Sequence, residues 1–142
     1  METQKMPQVV VGVLIRKGEK ILLGKRMCGD GVGEYAGPGG RLNFGETLEA
    51  CALRKVAEET GVHVTYIRVI SFLNALHWSG AHYIDIEVVC DWVSGEPIIT
   101  EPDAIESWNW YDLNDLPEPL IIGDQKGLEA LHTGQMYFGT IS

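Results

Sequence analysis

Two adjacent glutamates, Glu58 and Glu59, close the charged end of "ETLEACALRKVAEETGV", with Arg54 four residues before Glu58 and Lys55 three residues before it. Neighbouring carboxylates on a rigid helix are hard oxygen donors of the kind Mg²⁺ takes, since that ion uses a few carboxylates and fills its remaining positions with water and phosphate. The glycine-rich turn "GPGGR", Gly37 to Arg41, precedes the stretch and lets backbone approach a ligand closely. Together these features look built to hold a divalent metal ion beside a turn that a ligand can approach closely. A solvated helix face is the plain alternative for the same charge pattern.

Helical periodicity predicts a helix from Glu46 to Thr60, stopped by Gly61. At about 100° per residue from Glu46, the residues Leu53, Ala57, Ala50 and Val56 share a wide arc and form the expected buried stripe. Glu58, Lys55 and Glu59 fall at about 120°, 180° and 220°, on the opposite side. Arg54 and Glu58 are spaced to touch, and Glu46 lies in the first turn, where the helix dipole favours an anion.

The segment Gly40 to Val62 closely resembles the Nudix box, G-x5-E-x7-R-E-U-x-E-E-x-G-U, where U is aliphatic. Gly40, Glu46, Arg54, Val56, Glu58, Glu59, Gly61 and Val62 match eight of its nine specified positions. "LLGKR", "PGGRLNFGE" and "EPDAIESWNWYDLNDLP" extend the likeness to the small nucleoside-triphosphate-hydrolysing members, over most of residues 8 to 120. The resemblance implies an α/β/α sandwich and Mg²⁺- or Mn²⁺-dependent hydrolysis of a nucleoside diphosphate linked to another group. The substrate expected first is a nucleoside or deoxynucleoside triphosphate, a damaged one included, cleaved to monophosphate and pyrophosphate. A nucleotide sugar such as ADP-ribose is the second. Glu58 and Glu59 correspond to metal ligands, Arg54 to the arginine that orients a glutamate of the box, and Glu46 to a helix-start acid.

The ninth position is Lys55, where the pattern has a glutamate that binds metal in many members. The exchange alters the local charge by two units and removes a ligand. Three accounts stay open. The catalytic base and third metal ligand could be Glu101, which stands in a loop where members carry such an acid, with Glu106 second. Turnover could be reduced, leaving a nucleotide-binding module. Or Lys55 could itself be the base, against which the flanking glutamates raise its pKa.

For the substrate, Arg41, Gly39 and Gly40 are expected at the phosphates, with Lys25 and Arg26 at the end of a strand as further candidates. The loop Gly29 to Tyr35 is a candidate lid. Tyr35, Phe44, Trp78 and Tyr83 are candidates to stack on a base or to be core. "GDGVGEYAG" lacks the G-K-[ST] ending of a P-loop. His63, His77, His82 and His132 share no metal-ligand spacing, and Trp92, Trp108 and Trp110 read as packing residues.

The elements that must carry these groups run strands, helix, strands, helix. Gln8–Ile15 and Lys20–Lys25 read as strands joined by a Lys-Gly turn, and "MCGDGVGEYAGPGG" as loop throughout. Val62 to Leu76 and His82 to Gly95 read as long strands. In the second, apolar Tyr83, Ile84, Ile86, Val88 and Val89 alternate with Asp85 and Glu87. "SWNWYDL" is a short strand, and "GDQKGLEALHTG" a final helix after the prolines of "LPEPL". This order implies an α/β fold with a mixed sheet between helices, in one domain spanning residues 1–142.

Composition agrees with a globular chain. Of 142 residues, 45% are hydrophobic and 22% charged. The net charge of -9 disfavours a nucleic acid polymer as partner but not a small phosphorylated ligand beside local arginines and a metal. No apolar run approaches the roughly 20 residues that span a bilayer, and "METQKMPQ" lacks the layout of a signal peptide. A cytoplasmic location with no membrane partner is the expectation, and the resemblance adds a homodimer as one assembly. Cys28, Cys51 and Cys90 are expected to be reduced thiols.

Overall fold

The structure, a computed structural model, describes residues 5–76 and 80–139; His77 and Trp78 lie outside the described residues. Strands β1 (Gln8–Lys17) and β2 (Lys20–Arg26) form the expected hairpin, β1 being longer at its end than its apolar run implied. Two short strands, β3 (Tyr35–Ala36) and β4 (Gly39–Arg41), arise inside the segment expected to be loop. Their glycines explain the difference. A Cβ at Gly39 would lie 2.5 Å from the Val11 carbonyl, and one at Gly37 would run into that of Val13, so only bare backbone can lie so close to β1.

Helix α1 (Leu48–Glu59) begins two residues later than the periodicity predicts. Thr47 is its N-cap, accepting the Ala50 N–H at 3.0 Å, and Thr60 and Gly61, the latter at φ 74°, end it. Glu46 therefore stands before the helix and not in its first turn. Strands β5 (His63–Leu76), β6 (His82–Ser94) and β7 (Ile105–Asp112) follow, then α2 (Ile122–Thr133), closed by Gly134 in the left-handed conformation, and β8 (Tyr137–Gly139).

The strands make one mixed sheet in the order β3-β2-β1-β6-β5-β8, with β4 added to β1 and β7 to β2. β1 runs parallel to β6 from Gln8↔Tyr83 to Arg16↔Asp91. Strand alternation then assigns two cores. Val11, Val13 and Ile15 of β1 with Val88 and Cys90 of β6 pack against Cys51, Ala52 and Val56 of α1. Leu14 and Val89 face the other way, toward Leu128 and Leu131 of α2. The α/β/α sandwich expected from the sequence is the observed fold.

The buried stripe of α1 differs from the expected one. Only Val56 of the four residues assigned to it is buried; Ala50 and Ala57 are exposed, and Leu53 is 46% exposed. Cys51 and Ala52 take their place because small side chains let the helix sit close on the strands. That rotation brings Lys55 and Glu59 onto the inner side, where they are 18% and 16% exposed.

Candidate active site

Arg54 organises the entry to α1. Its Nε and Nη2 meet the two Glu46 carboxylate oxygens at 2.7 and 3.0 Å, a bidentate pair. Nη2 also donates to the Arg41 carbonyl at 3.0 Å, and Nη1 lies 3.5 Å from Glu58 Oε1. The guanidinium thus ties the turn after β4 to the charged face of the helix. Its hydrogen bonds, with that from the Asn43 N–H, hold Glu46 down at about 2. The same pairing raises Arg54.

Lys55 reaches inward. Its Nζ donates to Glu58 Oε2 at 3.2 Å and lies 3.9 Å from Glu59 Oε2. The stem lies over Gly40, where a Cβ would come within 2.6 Å of Lys55 Cε. An ammonium so bonded is a proton held by two carboxylates, which counts against Lys55 as a base. Its hydrogen bond is the main cause of the lowered Glu58 pKa. Glu59 behaves oppositely. Burial pushes it up to about 6 and the charge of Glu101 adds to the rise, although the Gly39 N–H donates to its Oε2 at 2.9 Å.

Glu101 comes close because the loop before β7 is bonded to the end of α1. Thr100 Oγ1 donates to the Glu58 carbonyl at 2.7 Å, the Ile98 N–H to that of Thr60 at 2.9 Å, and Trp108 Nε1 to that of Glu59 at 3.1 Å. Glu101 itself is exposed, and so is Glu106 on β7. Among the described residues no three His, Cys, Asp or Glu side chains are gathered closely enough to hold a metal ion. Even so, the donors present fit a hard divalent ion. Glu58 and Glu59 are neighbouring carboxylates, the charge of Glu101 reaches Glu59, and Mg²⁺ needs few carboxylates when phosphate completes its shell. The position between Glu58 and Glu59 is where Lys55 now sits.

A cavity of about 700 Å³ opens beside Glu59. At this end Arg26, Gly39, Gly40 and Arg41 line it, as expected of residues meeting phosphates, and Lys25 does not. Asp30, Gly31 and Glu34 of the candidate lid form part of the rim. That loop is held by the Arg26 Nε donating to the Asp30 carbonyl at 2.9 Å and by backbone bonds joining Arg26 to Gly33 and Glu34.

Among the aromatic candidates, Tyr83 lines the cavity. Tyr35 does not fit a role in stacking on a base. Its ring lies edge-on to Tyr111 at 6.0 Å and packs on the core beside α2, while its backbone fixes the chain at Pro119 and Ile121. Phe44 is fully exposed at the turn before α1. Trp92 and Trp110 stack edge to face and pack, with buried Trp108, on the core beneath α1.

The opposite end of the cavity holds residues that sequence reasoning did not single out. Asp85 and Glu87 project from β6 toward α2, where Asp124 is buried in the first turn. Asp124 Oδ2 accepts the Gly37 N–H at 2.7 Å. Among the described residues, both Glu87 oxygens and Asp85 Oδ1 are buried without a partner. Burial raises all three carboxyls, Asp85 to about 7, and the Asp124 charge raises Asp85 and Glu87 further. The signal that could have found them is a pair of acids two apart in a strand otherwise apolar on both faces.

A model of the NUDIX domain matches residues 6–131. The chain is 34% identical to the NAD-capped RNA hydrolase NudC of Pseudomonas aeruginosa over 107 residues, 74% of this chain and 36% of that protein. It is also 34% identical to the ADP-ribose pyrophosphatase of Methanocaldococcus jannaschii over 117 residues, 79% of this chain and 66% of the relative. Thus the chain spans little more than a third of the first of these relatives. In three dimensions it superposes on the MutT NUDIX hydrolase of Burkholderia pseudomallei with a TM-score of 0.83 at 30% identity, covering 88% of this chain and 98% of the other. By sequence and by fold, the chain belongs to the NUDIX domain family.

Proposed function

We propose that this protein is a pyrophosphohydrolase cleaving a nucleoside or deoxynucleoside triphosphate, damaged forms included, to the monophosphate and pyrophosphate. The observation that carries this reading is the cavity whose one end is bounded by Glu59, Arg26, Gly39, Gly40 and Arg41, and whose other end is closed by β6 and α2. Phosphates belong at the end with two guanidiniums and bare backbone; a base belongs at the other.

In this reading Glu58, Glu59 and Glu101 would hold Mg²⁺ or Mn²⁺, which would supply charge neutralisation at the phosphate oxygens and favour deprotonation of the attacking water. Arg26 and Arg41 bind the phosphates. Arg54 acts through Glu46, Glu58 and the Arg41 carbonyl, fixing the helix against the turn. Glu101, exposed and free to approach the attacking water, is the proton acceptor. Lys55 competes with the metal for Glu58 and must swing aside, so metal affinity is weakened and not abolished.

ADP-ribose is the second reading, favoured by the 34% identity to an ADP-ribose pyrophosphatase. Capped RNA is set lower, because a net charge of -9 opposes a long polyphosphate chain. The test is release of pyrophosphate and phosphate from a panel of triphosphates and ADP-ribose, with Mg²⁺ or Mn²⁺, for the parent protein, Lys55→Glu and Glu101→Gln. Turnover of a triphosphate that Glu101→Gln loses is the expected result. Turnover of ADP-ribose alone replaces the first reading by the second. Substrate binding without turnover in both the parent and Lys55→Glu leaves a binding module.

A further inference from the structure

The proposed chemistry treats Lys55 only as an obstacle, yet the side chain is seated in the protein. It is 18% exposed, on the inner side of α1, where a surface lysine would reach for solvent. Its Cδ, Cε and Nζ all lie against Gly40, where a Cβ would come within 3.0, 2.6 and 3.1 Å of them. Bare backbone at Gly40 is therefore the seat of the stem, and a larger residue there would displace it.

Its polar contacts are looser than its packing. Arg54 is committed by two bonds to Glu46 and a third to the Arg41 carbonyl, at 2.7, 3.0 and 3.0 Å. Lys55 holds Glu58 by one bond of 3.2 Å and stands 3.9 Å from Glu59 Oε2, beyond hydrogen-bond reach. An ammonium on a flexible stem can turn about its last bonds while the stem stays in place. Gly40 lines the cavity together with Gly39 and Arg41, and the Gly39 N–H donates to Glu59 Oε2 at 2.9 Å. Ammonium, bare backbone and carboxylates thus meet at one corner. Glu58 and Glu59 cannot serve both an ammonium and a divalent ion, and a displaced cation so enclosed needs another anion. Both oxygens of Glu46 are already taken by Arg54. The anion that remains is the phosphate of the substrate.

We infer that Lys55 is a phosphate-binding residue: its ammonium rests on Glu58 while the site is empty and passes to a phosphate oxygen of the incoming nucleotide at the Gly39–Arg41 turn. This rests on the reading that phosphates occupy that end of the cavity. The exchange trades one charge-assisted hydrogen bond for another, and it uncovers Glu58 and Glu59 as the phosphate arrives. A glutamate in place of Lys55 would add a metal ligand but offer the phosphate nothing. The lysine instead makes metal and phosphate binding cooperative, each raising the affinity of the other by the same factor.

Calorimetric titration with inorganic pyrophosphate, in EDTA so that no metal is carried in, tests this without requiring turnover. The parent is compared with Lys55→Met, which keeps the stem, and Lys55→Arg, which keeps the charge. Lys20→Met removes one positive charge at the far end of β2 and serves as the control. Lys55→Met is expected to weaken pyrophosphate binding about tenfold, the scale of one charge-assisted hydrogen bond. Lys55→Arg should keep most of the affinity, and Lys20→Met should match the parent. Glu58→Gln frees the ammonium and should tighten binding, so Lys55→Met should cost more in that background than alone. Repulsion by uncovered carboxylates, without contact between lysine and phosphate, gives the opposite order. Circular dichroism checks each fold, and Lys55→Gln replaces Lys55→Met if that variant does not fold. No pyrophosphate binding by the parent, equal binding by Lys55→Met, an equal loss in Lys20→Met, or a smaller cost in the Glu58→Gln background overturns the inference. Running the triphosphate panel in parallel separates it from the functional reading. Turnover with pyrophosphate binding indifferent to Lys55 sinks the inference alone, Lys55-dependent binding without turnover sinks the hydrolase alone, and neither binding nor turnover sinks both.

Discussion

The two ends of the cavity are both acidic, yet they handle charge in opposite ways. At α1, Glu46 is paired with Arg54 and Glu58 with both Arg54 and Lys55, and only Glu59, which burial pushes up to about 6, resembles the acids at α2. At α2, burial raises Asp85, Glu87 and Asp124, and among the described residues no cation forms an ion pair with any of them. Paired charges build a rigid scaffold whose anions persist at low pH. Unpaired buried acids instead make a floor whose hydrogen-bonding character depends on what enters.

The largest effects should come from removing a carboxylate at the α1 end. Glu59→Gln is expected to lower kcat/KM by about a hundredfold or more, the scale of loss when groups around a metal are disturbed, while Asp124→Asn, removed from the carboxylates of α1, is expected to cost less. Steady-state kinetics on both variants breaks the comparison if the two losses are equal.

Lys55→Glu sharpens it next. Without metal, a third acid beside Glu58 and Glu59 replaces two attractive contacts by repulsion, so the melting temperature should fall by a few degrees. With Mg²⁺ in excess it should recover, because an ion bound only by the folded state stabilises it by mass action. Thermal melts with and without 5–10 mM Mg²⁺, about the concentration range at which a weak site fills, give the answer. A parent protein that gains as much as Lys55→Glu would show that the lysine is no obstacle.

How much of this was legible follows the same division. The α1 end could be read from the chain because its chemistry is local: Glu46, Arg54, Glu58 and Glu59 recur at helical spacing within 14 residues. The rotation of α1 was not readable, since the depth to which Cys51 and Ala52 settle depends on the strands beneath. Asp85, Glu87 and Asp124 were passed over because their meeting is topological. It takes the parallel pairing of β1 with β6, and α2 laid across both, to turn an alternating strand into a buried floor. Tyr35 erred in the other direction. It stands beside the glycines in sequence, but pairing with β2 directs its ring into the core.

The ends should also differ in how pH acts on stability. Asp85 titrates near 3.8 when free and at about 7 when folded, so the folded chain holds a proton that the unfolded chain has lost between those values. Stability from this group therefore falls as pH rises from about 4 to 7 and stays reduced above. Asp85→Asn should melt about 5 °C above the parent at pH 8, with the difference closing toward pH 4. Glu46 acts in reverse: its depressed value means that stability is present above its usual 4.5 and is lost as pH falls toward 2. Glu46→Gln should thus flatten the acid limb of the same curve and leave the neutral limb unchanged. Parallel shifts of both limbs in either variant would mean that the two ends are not independent.

The smallest predicted effect concerns the scaffold itself. Thr47 caps α1 through one side-chain bond to the Ala50 N–H, away from Glu58 and Glu59 at the other end of the helix. Thr47→Ala should cost about 1 kcal/mol, the usual worth of such a cap, and lower the melting temperature by about 2–4 °C in a chain of this size. Activity measured well below the melt should be unchanged, because Arg54 still holds Glu46, the Arg41 carbonyl and Glu58 in register. Should kcat/KM fall tenfold, the cap would belong to the α1 machinery, and the scaffold of paired charges would extend one residue further along the chain.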